Sequence, residues 1–148
     1  MPDFIPVAGQ LDDAILMLRT NELALGLLIL RSEGKARAVL AAGEQLHALR
    51  EHWLVRETIG LLRRAFARLD VSSRSMYAIV ERGSCFAGLL FELALAADRS
   101  YMQSLAGEAD APQIALDATN LSLFPMVNGK TRLETRFYGT PQAVDRVR

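Results

Sequence analysis

From His52 to Leu69 apolar residues recur every three or four positions, at Val55, Ile59, Leu62, Phe66 and Leu69. That spacing predicts an amphipathic helix with a single core-facing stripe. Arg56, Arg63, Arg64 and Arg68 avoid the stripe and face water or a partner. Upstream, Leu11 to Leu18 predicts a shorter helix, with Asp12 and Asp13 suited to its start and Thr20-Asn21 to its end. Leu23 to Arg31 is an almost continuous apolar run closed by Ser32-Glu33-Gly34, the pattern of a buried strand. Ala36 to Ala42 is short and apolar, and Gly43 marks a place for a sharp turn.

Beyond the long helix, Ser72-Ser73 is a break, and Met76 to Val80 is rich in β-branched and aromatic residues, as strands are. Cys85 to Ala97 is apolar on nearly every side apart from Glu92, which predicts an interior helix ended by Asp98. Ser100 to Met102 and Ile114 to Leu116 are short strand candidates around the polar stretch 107–110. Phe124-Pro125 predicts a turn, followed by a helix capped by Asn128 and running to about Tyr138, with Gly139 as its C′ residue. Alternating strands and helices give an α/β class, and no repeat or low-complexity tract argues for more than one module over residues 1–148.

Charge narrows the functional classes. Seventeen Lys and Arg balance 17 Asp and Glu, which excludes binding to nucleic acid or an anionic membrane through bulk charge. At 51% hydrophobic and 23% charged residues the chain suits a packed domain rather than a disordered one. With Cys85 alone no intrachain disulfide can form. Leu23 to Leu30 is too short to cross a bilayer, and Met1 to Pro6 lacks the basic and apolar regions of a secretory signal, so the expected location is the cytoplasm. Asp145 to Arg148 carries no helix stop signal, as if the chain continued.

Chemistry concentrates between Val80 and Asp98. A strand, a glycine turn and a buried helix leave backbone N–H groups without intrahelical partners at the helix start, where the dipole favours negative charge. This makes an oxyanion or anion site in principle. Gly88 lets a substrate approach the backbone, and Glu92 follows four residues later on the same face, roughly 6 Å along the axis. A carboxylate on so apolar a helix must be paired, raised in pKa, or engaged in acid–base work. Both readings stay open: Glu92 joined to an arginine with Gly88 serving close packing, or a working acid beside an oxyanion donor. His47, Glu51 and His52 lack zinc-motif spacing and read as surface residues. Cys85 reads as a small buried hydrophobe more readily than a nucleophile, and Trp53 and Tyr138 as core or interface anchors. The arginine-rich stretch Arg50 to Arg74 reads as a solvated face, with an anion-binding or subunit-facing patch as the alternative.

Gly83 to Asp98, with Glu92-Leu93-Ala94, resembles the signature of the crotonase (enoyl-CoA hydratase/isomerase) superfamily. Leu123 to Leu133, containing Pro125, Gly129 and Thr131-Arg132-Leu133, is similar to further landmarks of that superfamily, and Leu40 to Glu44 sits where it carries its first oxyanion loop. Within it, the stretches 11–15, 19–23, 52–64, 69–75 and 83–88 resemble the benzoyl-CoA-dihydrodiol lyase family, whose chains are much longer and contain two crotonase-like halves. The superfamily resemblance runs from about Leu23 to Tyr138, and together the two imply an incomplete crotonase-like ββα spiral from the second half. It further implies a CoA-thioester substrate, a cytoplasmic enzyme that is dimeric at full length, and chemistry without a metal or redox cofactor. The reaction implied is hydrolytic opening of the epoxidised ring of benzoyl-CoA, with release of formate and a semialdehyde CoA thioester.

Residue by residue, the resemblance gives Glu92 the place of the first acid–base glutamate. It gives Gly88 and Leu89 that of the second oxyanion donor, and Glu44, through its backbone N–H, that of the first. Cys85, Phe86, Asp117 and Pro125 are the implied pocket candidates. The sequence departs from the family pattern where the second glutamate belongs, at Ala118, with Asp117 adjacent, and Gly83 stands one residue further from Glu92 than in simple crotonases. A non-catalytic scaffold or oligomerisation half, and a generic enoyl-CoA hydratase or isomerase, are the alternative readings. Exposed apolar surface, expected on the 52–69 helix and around missing terminal elements, predicts association when the chain is made alone.

Overall fold

The computed structural model describes residues 4–146; the opening Met1 to Asp3 and the closing Val147-Arg148 of the terminal stretches discussed above lie outside the described residues. Three parallel strands, β1 (Leu27–Leu30), β2 (Ser75–Val80) and β3 (Arg99–Met102), form a sheet in the order β1-β2-β3. Helices α1 (Phe4–Asn21), α2 (Ala36–Ala48), α3 (Trp53–Asp70) and α4 (Gly88–Ala96) build the core on one of its faces, and α5 (Ala118–Ser122), α6 (Arg132–Arg136) and α7 (Pro141–Asp145) follow. The molecule is a mixed α/β structure with a small parallel sheet.

The periodic stripe of α3 is buried in full: Val55, Ile59, Leu62, Phe66 and Leu69 join Met76, Ala78 and Val80 of β2 in one core. Each of these side chains larger than alanine stabilises the fold by about 1.5–3 kcal/mol through removal from water. Phe66 meets Phe124 edge to face at 5.2 Å between ring centroids, which ties the turn at Phe124-Pro125 to α3. Arg74, counted above in a basic stretch, instead folds inward and donates to the carbonyls of Leu18, Glu22 and Leu25, satisfying the C-terminal end of α1. Arg136 does the same for α4 through the Ala94 and Ala97 carbonyls.

Several sequence expectations are corrected. The run Leu23 to Arg31 yields a strand of only four residues at the sheet edge, and it is not buried: Leu23 is 80% and Ile29 58% exposed. A continuous apolar run therefore marked surface that nothing here covers. Gly43 makes no turn, because α2 passes straight through it and it is buried against Asp117. The interior helix begins at Gly88, three residues after Cys85, since the Ala87 N–H turns back onto the Cys85 carbonyl and Ala87 bridges Ala115. That bridge is all that forms of the 114–116 strand among the described residues.

Asn128 caps no helix. It closes a turn onto the Lys130 N–H, and the helix starts at Arg132 under a Thr131 cap reinforced by Glu134. Gly139 does not adopt the left-handed conformation expected of a C′ glycine. Trp53 is 64% exposed and so is no core anchor. The apolar stripe of α3 is buried, although Trp53 and Leu54 at its start are exposed, and further exposed apolar surface lies on the sheet. Leu27, Ile29 and Tyr101 project from the face opposite Met76, Ala78 and Val80, although a parallel sheet is ordinarily covered on both faces. No helix among the described residues is long and apolar enough to cross a membrane.

Candidate active site

Helix α4 carries the site. It has no exposed residue, and Glu92, midway along it, is 1% exposed. So apolar a setting demands a partner for the carboxylate, and the partners come from two later segments. Arg132, the first residue of α6, donates from Nη1 to Glu92 Oε2 at 2.9 Å and to the Phe124 carbonyl at 3.1 Å. Its remaining donors form a two-point bond with Asp70 at the end of α3, Nε to Oδ1 at 2.9 Å and Nη2 to Oδ2 at 2.6 Å. Asn120 of α5 donates to the other Glu92 oxygen at 2.7 Å and to the Gly88 carbonyl at 2.9 Å.

Both oxygens of Glu92 are thus engaged. Two carboxylates share one guanidinium, and Arg132 and Asp70 are nearly as buried as Glu92. Burial pushes the Glu92 carboxyl above its ordinary range, against the opposing pull of the Asn120 bond and the Arg132 charge. Chemically the arrangement joins α3, α4, α5 and α6 at one point. Each oxygen of Glu92 accepts one hydrogen bond there.

The oxyanion donors are placed as follows. The Gly88 amide is bonded to the Ala115 carbonyl at 3.0 Å, so it is not presented to a ligand. Leu89 follows in the first turn of α4, where amides lack intrahelical partners, but its side chain is buried in the core. Glu44 lies in the interior of α2, where each amide bonds the carbonyl four residues back. A first donor on a loop, as expected at Glu44, is therefore absent, because the helix continues through that loop's position.

The pocket candidates do not converge. Phe86 is fully buried in the core. Cys85 is buried too, and its amide donates to Ser32 Oγ at 3.1 Å. Pro125 lines a separate cleft of about 450 Å³ with Gly60, Arg63, Arg64 and Met126. Asp117 lines a small cavity of about 150 Å³ with Gly43, Glu44, His47, Ala48, Ala118 and Thr119. The sequence reading did not name Asp70, Asn120 or Arg132 as site residues. The available signal was Glu92 itself, whose burial required a cation.

No family model matches the chain. The benzoyl-CoA-dihydrodiol lyase of Aromatoleum evansii is 56% identical to it over 134 residues, 90% of this chain and 24% of that protein. Over that stretch the chain is homologous to benzoyl-CoA-dihydrodiol lyase. The match agrees with the family that the sequence resembles. The chain spans about a quarter of the length of this relative.

Proposed function

We infer that the chain is the supporting section of a benzoyl-CoA-dihydrodiol lyase, built on an incomplete crotonase-like module, in which Glu92 joins helices and does not move protons. The enzyme it serves would take a CoA thioester, add water to the epoxidised ring of benzoyl-CoA, and release formate and a semialdehyde thioester. The observation that carries the reading is the enclosure of Glu92, with one oxygen on Asn120 and the other on Arg132, itself held by Asp70. A general acid or base needs hydrogen-bond reach to the reacting proton, and neither oxygen has it. The engaged Gly88 amide supports the same reading, since a polarised thioester carbonyl needs donors aimed at it.

One observation favours the catalytic alternative. Burial raises the Glu92 carboxyl, as a general acid at neutral pH requires. Titrating the folded chain with benzoyl-CoA by calorimetry separates the two readings. The supporting section gives no saturable heat. Saturable binding that Glu92→Gln and Gly88→Ala both weaken would establish a working thioester pocket in this section.

A further inference from the structure

We propose that Asp117 is an internal ligand, whose carboxylate fills an oxygen-sized cradle formed by Gly43 and Gly88 at the start of α4 and closes that position to any external anion. The starting point is an oxygen without a donor. Asp117 Oδ1 accepts from the Thr119 N–H at 2.8 Å and from the Thr119 hydroxyl at 2.5 Å, whereas Oδ2 is buried with no hydrogen-bond partner. Buried polar atoms of this kind call for an explanation, since nearly all others are paired.

The surroundings of Oδ2 supply one. A Cβ built on Gly88 would lie 2.5 Å from Oδ2 and 3.0 Å from Cγ, and a Cβ on Gly43 would collide with the same oxygen. Two helices therefore each lack a side chain at one spot, and a single carboxylate oxygen uses the space. Gly88 also has a φ of +45°, a conformation that other residues adopt only with strain. It is the first residue of α4, a nine-residue helix whose start carries partial positive charge. The space in front of this helix start is thus occupied from within, with Oδ2 facing the two glycines and no N–H group donating to it.

The occupant is fixed in place. Asp117 caps α5, and the Asn120 side chain returns to accept from the Asp117 N–H at 3.1 Å, so Oδ2 cannot turn outward without breaking the cap. Beside it lies the cavity of about 150 Å³, lined also by Glu44 and His47. With Asp117 present, no thioester oxygen can use this helix start. With its outer oxygen removed, the cradle would accept a small monocarboxylate. This inference is independent of the supporting-section reading.

The test is the variant Asp117→Ser, which keeps a cap acceptor for α5 and vacates the place of Oδ2. Thermal unfolding of wild type and variant is followed against sodium acetate, with sodium chloride at matched ionic strength. The variant is expected to melt lower than wild type and to regain about 3 °C saturably in acetate, with no such gain in chloride and none for wild type in either salt. Equal acetate responses in both proteins, or none in a folded variant, would overturn the proposal. Asp117→Asn keeps shape and cap but removes the charge, so it should fold, melt below wild type and ignore acetate. An Asn variant as stable as wild type would equally overturn it.

Discussion

Two carboxylates meet at α4, one on it and one against its start, and are handled in opposite ways. Glu92 has every oxygen answered, by a guanidinium and an amide, and its guanidinium is answered in turn by Asp70. Asp117 has one oxygen in a helix cap and the other against bare glycine backbone. Both lie in the region where catalytic groups were expected, and both are held by contacts within the chain. A carboxylate in an apolar helix neighbourhood is thus no sign of acid–base chemistry until its partners are known. The first is held by opposite charge, the second by a helix start and by space that two glycines leave.

The sharpest way to break this contrast is Arg132→Met. It leaves Asp70 and Glu92 buried without a cation, and the expected loss is about 3–5 kcal/mol in urea unfolding. A loss under about 1 kcal/mol would mean that the network is not what joins the four helices.

Next in size, Gly88→Ala forces a left-handed backbone on alanine and drives a methyl into Asp117. The expected cost is about 3 kcal/mol. Made together with Asp117→Ser the cost should shrink, because the clash is gone while the strain remains. Strict additivity of the two changes would show that Gly88 and the carboxylate do not share the space.

Glu92→Gln is smaller, about 1–2 kcal/mol at neutral pH, since amide and carboxylate have the same shape and Asp70 still pairs with Arg132. Its pH dependence has a definite sign. The folded-state pKa of Glu92 is raised above its ordinary 4.5, so the folded state holds the proton more tightly than the unfolded state. That stabilisation is fully present below 4.5 and is lost as pH rises through the folded value. The stability of wild type minus that of the Gln variant should therefore decline as pH rises from about 4. A difference that grows with pH instead would reverse the sign of the shift and make the Arg132 charge the stronger influence.

The smallest effect on stability is expected at the sheet face. Ile29→Lys, at a 58% exposed edge position, should alter unfolding by no more than about 0.5 kcal/mol. It should nevertheless shift the sedimenting species toward monomer, because Leu27, Ile29 and Tyr101 form apolar surface that the described residues leave open. An unchanged distribution would locate any self-association elsewhere.

Much of the framework was legible in the residues. The α3 stripe, the β2 strand and the interior character of α4 follow from spacing and residue type, because these elements bury one face, or every face, against a core they share. Two of the failures share a cause. Gly43 and the run from Leu23 to Arg31 were read from local pattern, but each takes its meaning from what lies opposite it. A glycine inside a helix and a glycine at a turn look alike until a carboxylate from 74 positions downstream of Gly43, Asp117, is seen against it. An apolar strand looks the same whether or not another layer covers it.

For the site, the sequence by itself determined that Glu92 had to be answered by a charge or by function, because burial of an unpaired carboxylate is costly whatever the fold. It also determined, through the residues shared with the lyase, the enzyme with which the chain is homologous. Only the tertiary structure decided that Arg132 and Asn120 supply the answer and that Asp117 fills the cradle at Gly88. The physical reason is separation along the chain: Arg132 lies 40 residues from Glu92, Asn120 lies 28, and no local propensity selects among 17 basic residues the one that folding brings within hydrogen-bond distance.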